Sequence, residues 1–84
     1  METVYRQPNW DPLIRLLSRK EYAGLDISDF MYMGDVGSIV LYKHRITRRY
    51  LNIDASSGRF YQYTNLGYAE VSKECALRFV RDLR

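Results

Sequence analysis

A chain of 84 residues with one cysteine and a net charge of +3 excludes several classes of protein. It is too short for two domains, and a single thiol excludes an intramolecular disulfide, so Cys75 indicates a reducing compartment, by default the cytoplasm. The sequence has no apolar run long enough to cross a membrane, and its first residues lack the pattern of a signal peptide. We therefore expect one small cytoplasmic domain over residues 1–84, without a membrane partner.

The first predicted helix spans Pro12 to Tyr22 and follows an irregular arm of residues 1–8. Asp11 is a favourable N-cap residue, and proline is tolerated at the first helical position because an N–H would have no partner there. Gly24 is a suitable stop, although Ser18 begins a second capping pattern, so the helix could also break there. The apolar residues at helical spacing are Leu13, Leu16 and Leu17.

Two strands are predicted next, Phe30 to Met33 and Ser38 to His44, joined by a turn at Gly34 to Gly37. The second strand carries apolar residues at both alternating sets of positions. Such a pattern is typical of a central strand that is covered on both sides.

A β-hairpin over Arg45 to Thr64 is the clearest pattern in the chain. The two serines of residues 55–58 suit the middle of a type I turn, and Gly58 can adopt the left-handed conformation that closes the turn as a bulge. We expect this turn to set the register of the two strands. The predicted register places Ile53 opposite Tyr61 and Leu51 opposite Tyr63 on an apolar face, with Asn52 opposite Gln62 and Tyr50 opposite Thr64 on the other.

The second predicted helix spans Lys73 to Leu83. The segment before it, residues 65–71, is either a loop or a short edge strand. Ser72 is a good N-cap, and Glu74 lies near the positive end of the helix dipole. The apolar stripe of this helix consists of Cys75, Ala76, Phe79, Val80 and Leu83.

The predicted fold is α+β, with an N-terminal helix, a four-stranded antiparallel meander and a C-terminal helix. Two amphipathic helices and one apolar sheet face can cover each other, so both helices are expected on that face. We find no internal repeat. The predicted core is one cluster of Leu16, Leu17, Leu51, Ile53, Phe79 and Val80.

The sequence carries no motif for catalysis, for a metal or for a cofactor, and none of these is predicted. His44 is the only histidine and is expected to be a polar residue near solvent at a strand end, since no motif joins it to a serine or a carboxylate. The loop Gly34 to Gly37 lacks the lysine and the following helix of a phosphate-binding loop. A small enzyme that uses His44 with Asp35 or Asp54 is a third functional hypothesis, after the two binding hypotheses that follow.

The sheet face opposite the predicted core mixes arginines with aromatic residues, which are the usual anchors of protein interfaces. We expect a small non-enzymatic interaction module, such as an adaptor, inhibitor or subunit, that binds a protein partner or itself. The first alternative is single-stranded nucleic acid, because arginines neutralise phosphates and aromatic rings stack on bases. The plainer interpretation is a solvated face with scattered aromatics. The predicted binding surface consists of Arg45, Arg48, Tyr50, Asn52, Arg59, Phe60 and Gln62.

Overall fold

The fold is α+β, as predicted, and the computed structural model describes residues 8–18 and 25–81. The strands form one antiparallel meander in which each pairs with the next, but the sheet has five strands, not four, because residues 67–71 form an edge strand. In chain order, the described elements are α1 (Asp11–Leu17), a 3-10 turn (Ile27–Asp29), β1 (Phe30–Val36), β2 (Ile39–His44), β3 (Tyr50–Asp54), β4 (Phe60–Thr64), β5 (Gly67–Val71) and α2 (Lys73–Arg81).

α1 begins one position earlier than predicted, with Trp10 at the N-cap. The side chain of Asn9 accepts a hydrogen bond from the Asp11 N–H at 3.2 Å, so Asn9 satisfies one of the free donors at this helix end. The described helix ends at Leu17, and residues 19–24, on which the rest of the prediction falls, lie outside the described residues. Neither described helix is long and apolar enough to span a membrane.

The segment that leads into α1 packs against the middle of the sheet. The Tyr42 hydroxyl donates to the Asn9 carbonyl at 2.6 Å, and the Trp10 ring stacks on the Tyr42 ring with their centroids 5.6 Å apart. Burial raises the pKa of the Tyr42 phenol, which therefore stays protonated and available as a donor. These contacts fasten the start of the described chain to the centre of β2.

The turn between β1 and β2 lies at residues 37–38, not at 34–37 as predicted. β1 continues past the predicted turn because a bulge between Tyr32 and Gly34 accommodates one extra residue. Gly34 has a φ of +114°, which is readily accessible only to glycine, and this explains why a glycine occupies the bulge.

The predicted register of β3 against β4 is wrong by one residue. Ile53 pairs with Phe60, whereas the prediction paired it with Tyr61. The loop that connects the two strands contains residues 55–58, one residue more than the predicted pairing allows. Since side chains alternate along a strand, this shift exchanges the two faces of β4. Phe60 enters the core, and Tyr61 and Tyr63 lie on the opposite face.

The hydrophobic core lies between the two helices and one face of the sheet. Tyr42 of β2, Leu13 of α1 and Val80 of α2 are completely buried, so both helices cover the same sheet face, as predicted. The buried apolar residues are Leu13, Leu16, Leu25, Phe30, Val40, Tyr42, Leu51, Ile53, Phe60, Ala76, Leu77 and Val80.

The predicted apolar stripe of α2 is partly wrong. Phe79, predicted to be buried, exposes 40% of its surface, whereas Leu77 exposes only 6%, and Cys75 is exposed as well. Helical periodicity allows either Leu77 or Phe79 to lie beside Val80 on the buried side of α2. In the folded domain Leu77 packs into the core and Phe79 does not. Phe79 lies at the margin of the helix, where the Arg49 guanidinium is 4.8 Å from the centre of its ring.

Candidate functional site

The sheet face opposite the helices is rich in aromatic and aliphatic side chains. The strand pairings place alternate residues of every strand on this face, and both described helices lie on the other side. We call it the open face; it consists of Met31, Val36, Ile39, Leu41, Lys43, Tyr50, Asn52, Asp54, Tyr61, Tyr63, Tyr68 and Glu70.

Several of these side chains are well exposed to solvent. Tyr63 exposes 73% of its surface, Val36 48% and Tyr50 38%. The Tyr63 and Tyr68 rings meet edge to face with centroids 5.3 Å apart, and the Lys43 ammonium is 5.8 Å from the centre of the Tyr50 ring. Scattered apolar residues are common on protein surfaces, but a contiguous set is typical of an interaction site.

Only part of the predicted binding surface lies on the open face. Tyr50 and Asn52 are there, as predicted. Phe60 is buried in the core with 6% exposure, and Gln62 lies on the same side of β4 as Phe60. The one-residue error in register is the reason, because it assigned both residues to the wrong face. Tyr61 and Tyr63 lie on the open face, where Phe60 and Gln62 had been predicted.

The three predicted arginines occupy turns rather than strands. Arg45 donates through Nε to the Ser28 carbonyl at 2.9 Å. Arg59 forms an ion pair with Glu70 at 3.4 Å, and both side chains are more than half exposed, so the pair adds little stability. Arg48 is exposed in the turn between β2 and β3, and it makes no ion pair with the described residues.

A cleft opens where β3 and β4 separate. Each strand contains five residues, but they pair only at Ile53 with Phe60 and at Asn52 with Tyr61. The cleft between their separated ends has a volume of about 550 Å³, within the range of small-molecule sites. Its lining residues are Leu41, Arg48, Arg49, Tyr50, Asn52, Gln62, Tyr63, Tyr68 and Phe79.

Asn52 is the most deeply buried polar residue of this cleft, with an exposure of 3%. Its Nδ2 donates to the Tyr61 carbonyl at 3.1 Å, while its Oδ1 has no hydrogen-bond donor among the described residues. Leaving a buried acceptor unpaired costs on the order of 1–3 kcal/mol, and native proteins contain few such groups. The amide oxygen is therefore a feature that stability alone does not explain.

The arginine end of the cleft is held against α2. Arg49 donates to the Phe79 carbonyl at 2.9 Å, and the Thr47 hydroxyl donates to the Val80 carbonyl at 2.7 Å. These carbonyls lie in the last turn of α2, where backbone acceptors lack partners within the helix. The turn between β2 and β3 thus supplies hydrogen-bond donors to the carbonyls in the last turn of α2. These bonds hold the arginine end of the cleft in position.

His44 is buried, with 6% exposure, although it was predicted to lie near solvent. Its ring meets the Phe30 ring edge to face at 5.1 Å, and its Nδ1 accepts the N–H groups of Ile46 and Thr47, each at 3.2 Å. Nδ1 therefore carries no proton in this arrangement. His44 acts as the acceptor around which its turn is built.

The structure does not bring His44 together with the two carboxylates considered for catalysis. Asp35 pairs with Val40 and Asp54 with Ile39, at the end of β2 opposite His44. Within residues 8–18 and 25–81, no three His, Cys, Asp or Glu side chains are grouped so that they could hold a metal ion.

Sequence reasoning missed Leu41, Arg49, Tyr63, Tyr68 and Phe79 as residues of the cleft. Residues 54–59 resemble residues 44–49, and both form turns with a four-residue loop, but the resemblance alone does not determine the register. Both begin with a side chain that can accept hydrogen bonds, carry a hydroxyl residue at the fourth position and end with arginine. A glycine after the hydroxyl residue, as at Gly58, suits a three-residue loop closed by a bulge as well as a four-residue loop, so the local composition leaves the register open.

Comparisons with known proteins add no functional assignment. No protein-family model matches the chain, and neither a curated protein nor a solved structure matches it. A functional conclusion must therefore be drawn from the open face and the cleft.

Proposed function

We propose that this protein is a small non-enzymatic interaction module that binds a protein partner through its open face. One observation carries the proposal: all five strands contribute apolar or aromatic side chains to a face that neither described helix covers. A domain of this size has little apolar surface to spare, because its surface is large relative to its volume. Exposed apolar and aromatic side chains on this face, among them Tyr63 and Val36, therefore support a binding role.

The charges near the open face indicate the chemistry of the partner. Lys43 and Arg48 lie at the end of the sheet where β2 turns into β3, whereas Glu70 is paired with Arg59. The net charge of +3 has the same sign as the end of the sheet that carries Lys43 and Arg48. The complementary surface has an apolar or aromatic centre and carboxylates that face Lys43 and Arg48. A second copy of this chain is the other protein partner to test, through a symmetric contact of two open faces.

The test uses Tyr50→Ala combined with Tyr63→Ala, and Ile14→Ala as the control, since Ile14 is half exposed on α1. Light scattering first establishes whether the wild-type chain self-associates. The partner recovered by affinity purification from the source cells is then purified, and its affinity is measured by calorimetry. We expect the double variant to bind about tenfold more weakly, or to lose self-association, while Ile14→Ala changes neither. A monomeric wild type with a partner that binds the double variant equally well would contradict the proposal.

The proposal assigns no catalytic residue, cofactor or metal to the chain. The single cysteine supports a reducing compartment, and we propose the cytoplasm as the location. Fractionation of the source cells tests this, because recovery of the protein from the culture medium or a membrane fraction would contradict it.

A further inference from the structure

We propose that the cleft between β3 and β4 binds a nucleotide, with the base among its aromatic walls and the phosphate at its arginine end. The inference goes beyond the proposed function, because it concerns a concave site with a small ligand rather than the open face as a whole. It is carried by three properties of the cleft: aromatic walls, an unpaired buried acceptor and a cationic rim.

The walls suit a flat ring. Four aromatic side chains line a space of about 550 Å³, which accommodates one nucleotide. Tyrosine and phenylalanine rings stack on every base, since each base has a π face. These side chains are Tyr50, Tyr63, Tyr68 and Phe79.

The amide oxygen of Asn52 supplies the polar contact. It accepts hydrogen bonds only, and the described residues offer it no donor. Every common base carries an N–H donor on its pairing edge, so a bound base satisfies this oxygen. Because the oxygen is enclosed, the base reaches it after an exposed side chain at the mouth of the cleft turns outward. Tyr50 and Tyr63 are exposed, and side chains of this kind change rotamer rapidly.

Arg48 supplies the charge at the rim. Its guanidinium makes no ion pair with the described residues, and its backbone has a φ of +64°, a region where glycine is the usual residue. A cation kept in a strained conformation at the rim of a pocket indicates a role for the side chain outside the fold. A guanidinium matches the geometry of a phosphate and can bind two of its oxygens at once.

A nucleotide brings the ring, the donor and the anion in one molecule. The competing ligand is a tryptophan side chain of a peptide, which offers a ring and an N–H but takes its negative charge from a neighbouring residue. The two ligands differ in one measurable way, since only the nucleotide carries phosphate into the cleft. The nucleotide is therefore the occupant that meets all three properties.

The experiment titrates the full chain with UMP and AMP, and with short oligouridylate and oligoadenylate. Ribose 5-phosphate and N-acetyltryptophanamide serve as the ligand controls. Nitrogen–proton correlation spectra report the Asn52 side-chain amide and the backbone amides of β3 and β4. We expect saturable shifts of these signals with nucleotides and none with ribose 5-phosphate. Saturation by mononucleotides identifies a free nucleotide as the source, whereas saturation by oligonucleotides alone, weakened by salt, identifies a single strand.

Three variants locate the site. Asn52→Leu removes the acceptor and Arg48→Gly removes the cation, and each is expected to weaken nucleotide binding about tenfold. Arg48→Gly also relieves backbone strain, so its melting temperature should not fall, and its loss of binding cannot be attributed to unfolding. Arg78→Ala, which removes the same charge from the exposed surface of α2, should bind like the wild type.

The proposal is overturned by any of three results. The first is the absence of saturable nucleotide binding to the wild type. The second is binding that Asn52→Leu and Arg48→Gly leave unchanged, which would place the ligand elsewhere. The third is saturation by N-acetyltryptophanamide but not by nucleotides, which would assign the cleft to a peptide.

Discussion

Residues 44–49 and residues 54–59 form two turns with one hydrogen-bonding scheme and different side chains. In each, the N–H of the first residue donates to the carbonyl of the sixth at 2.8 Å, and the N–H of the fifth donates back to the carbonyl of the first. His44 Nδ1 and Asp54 Oδ1 each accept the N–H groups of the third and fourth residues. Both four-residue loops therefore form the same hydrogen bonds, and the central acceptor can be either an imidazole nitrogen or a carboxylate oxygen.

The two turns differ in their fifth residue. Gly58 has a φ of +76° and Arg48 a φ of +64°, although this conformation is favourable only for glycine. The turn with Arg48 is docked on α2 through Thr47 and Arg49, which donate to carbonyls at the helix end. The turn with Gly58 is more exposed. The comparison shows that a docked turn can hold a residue in a strained conformation, because its other contacts determine the backbone.

The largest expected effect comes from the buried centre of the docked turn. His44→Ala removes a ring packed on Phe30 and leaves two backbone N–H groups without an acceptor, so the free energy of unfolding should fall by about 2–4 kcal/mol in urea denaturation. His44→Asn keeps an acceptor of the kind that Asp54 provides and should lose less. Equal losses for the two variants would show that packing, not the hydrogen bonds, maintains this turn.

Exchanging the fifth residues tests the strain directly. Gly58→Arg should lower the free energy of unfolding by about 1–2 kcal/mol, since a left-handed backbone is costly for any residue with a Cβ. A Cβ built at Gly58 meets no atom within 4 Å, so steric clash does not contribute. Arg48→Gly should raise stability by up to about 1 kcal/mol, because the gain is partly offset by the freedom of glycine in the unfolded chain. A neutral Gly58→Arg would refute strain as the difference between the turns.

The hydroxyl residues of the two turns provide a matched pair. Thr47→Val leaves the Val80 carbonyl without its donor at 2.7 Å and should cost about 1 kcal/mol in thermal or chemical unfolding. Ser57→Ala removes an exposed hydroxyl that, among the described residues, accepts the Arg59 N–H alone, and water can substitute for it, so the cost should be smaller. If Ser57→Ala proves the more damaging of the two, docking on α2 is not what stabilises the first turn.

The smallest effect is the pH dependence of the exposed turn. The pKa of Asp54 lies below its ordinary value of 3.8, chiefly because the Ser56 hydroxyl and then the Ser56 N–H donate hydrogen bonds to its carboxylate. A lowered pKa means that the stabilisation is complete above the unfolded value and is lost as the pH falls through the lower folded value. The advantage of the wild type over Asp54→Asn in urea should therefore shrink below pH 3.8. An advantage that stays constant across this range would argue against the carboxylate.

The amino-acid sequence by itself determined the fold class, the order of helix, antiparallel meander and helix, and the N-cap of α2. Its local signals are strong at these points: Ser72 caps the helix through the Cys75 N–H at 3.1 Å, and Gly58 has the positive φ expected of it. Each of these features depends on residues that are near in sequence, so the chemistry of a few side chains decides it. The meander follows for the same reason, because short connections favour the pairing of neighbouring strands.

Tertiary structure alone decided which faces the strands and helices present. The faces of β4 depend on whether the loop before it holds three or four residues, and both loops are compatible with the same local composition. Leu77 and Phe79 are equally apolar, and only packing against the sheet buries the first and leaves the second at the cleft. The cleft itself arises where two strands stop pairing, and no single segment of the chain encodes that separation. Interactions between segments that are distant in sequence determine these three features. The sequence of one segment is therefore compatible with more than one arrangement until the whole domain is packed.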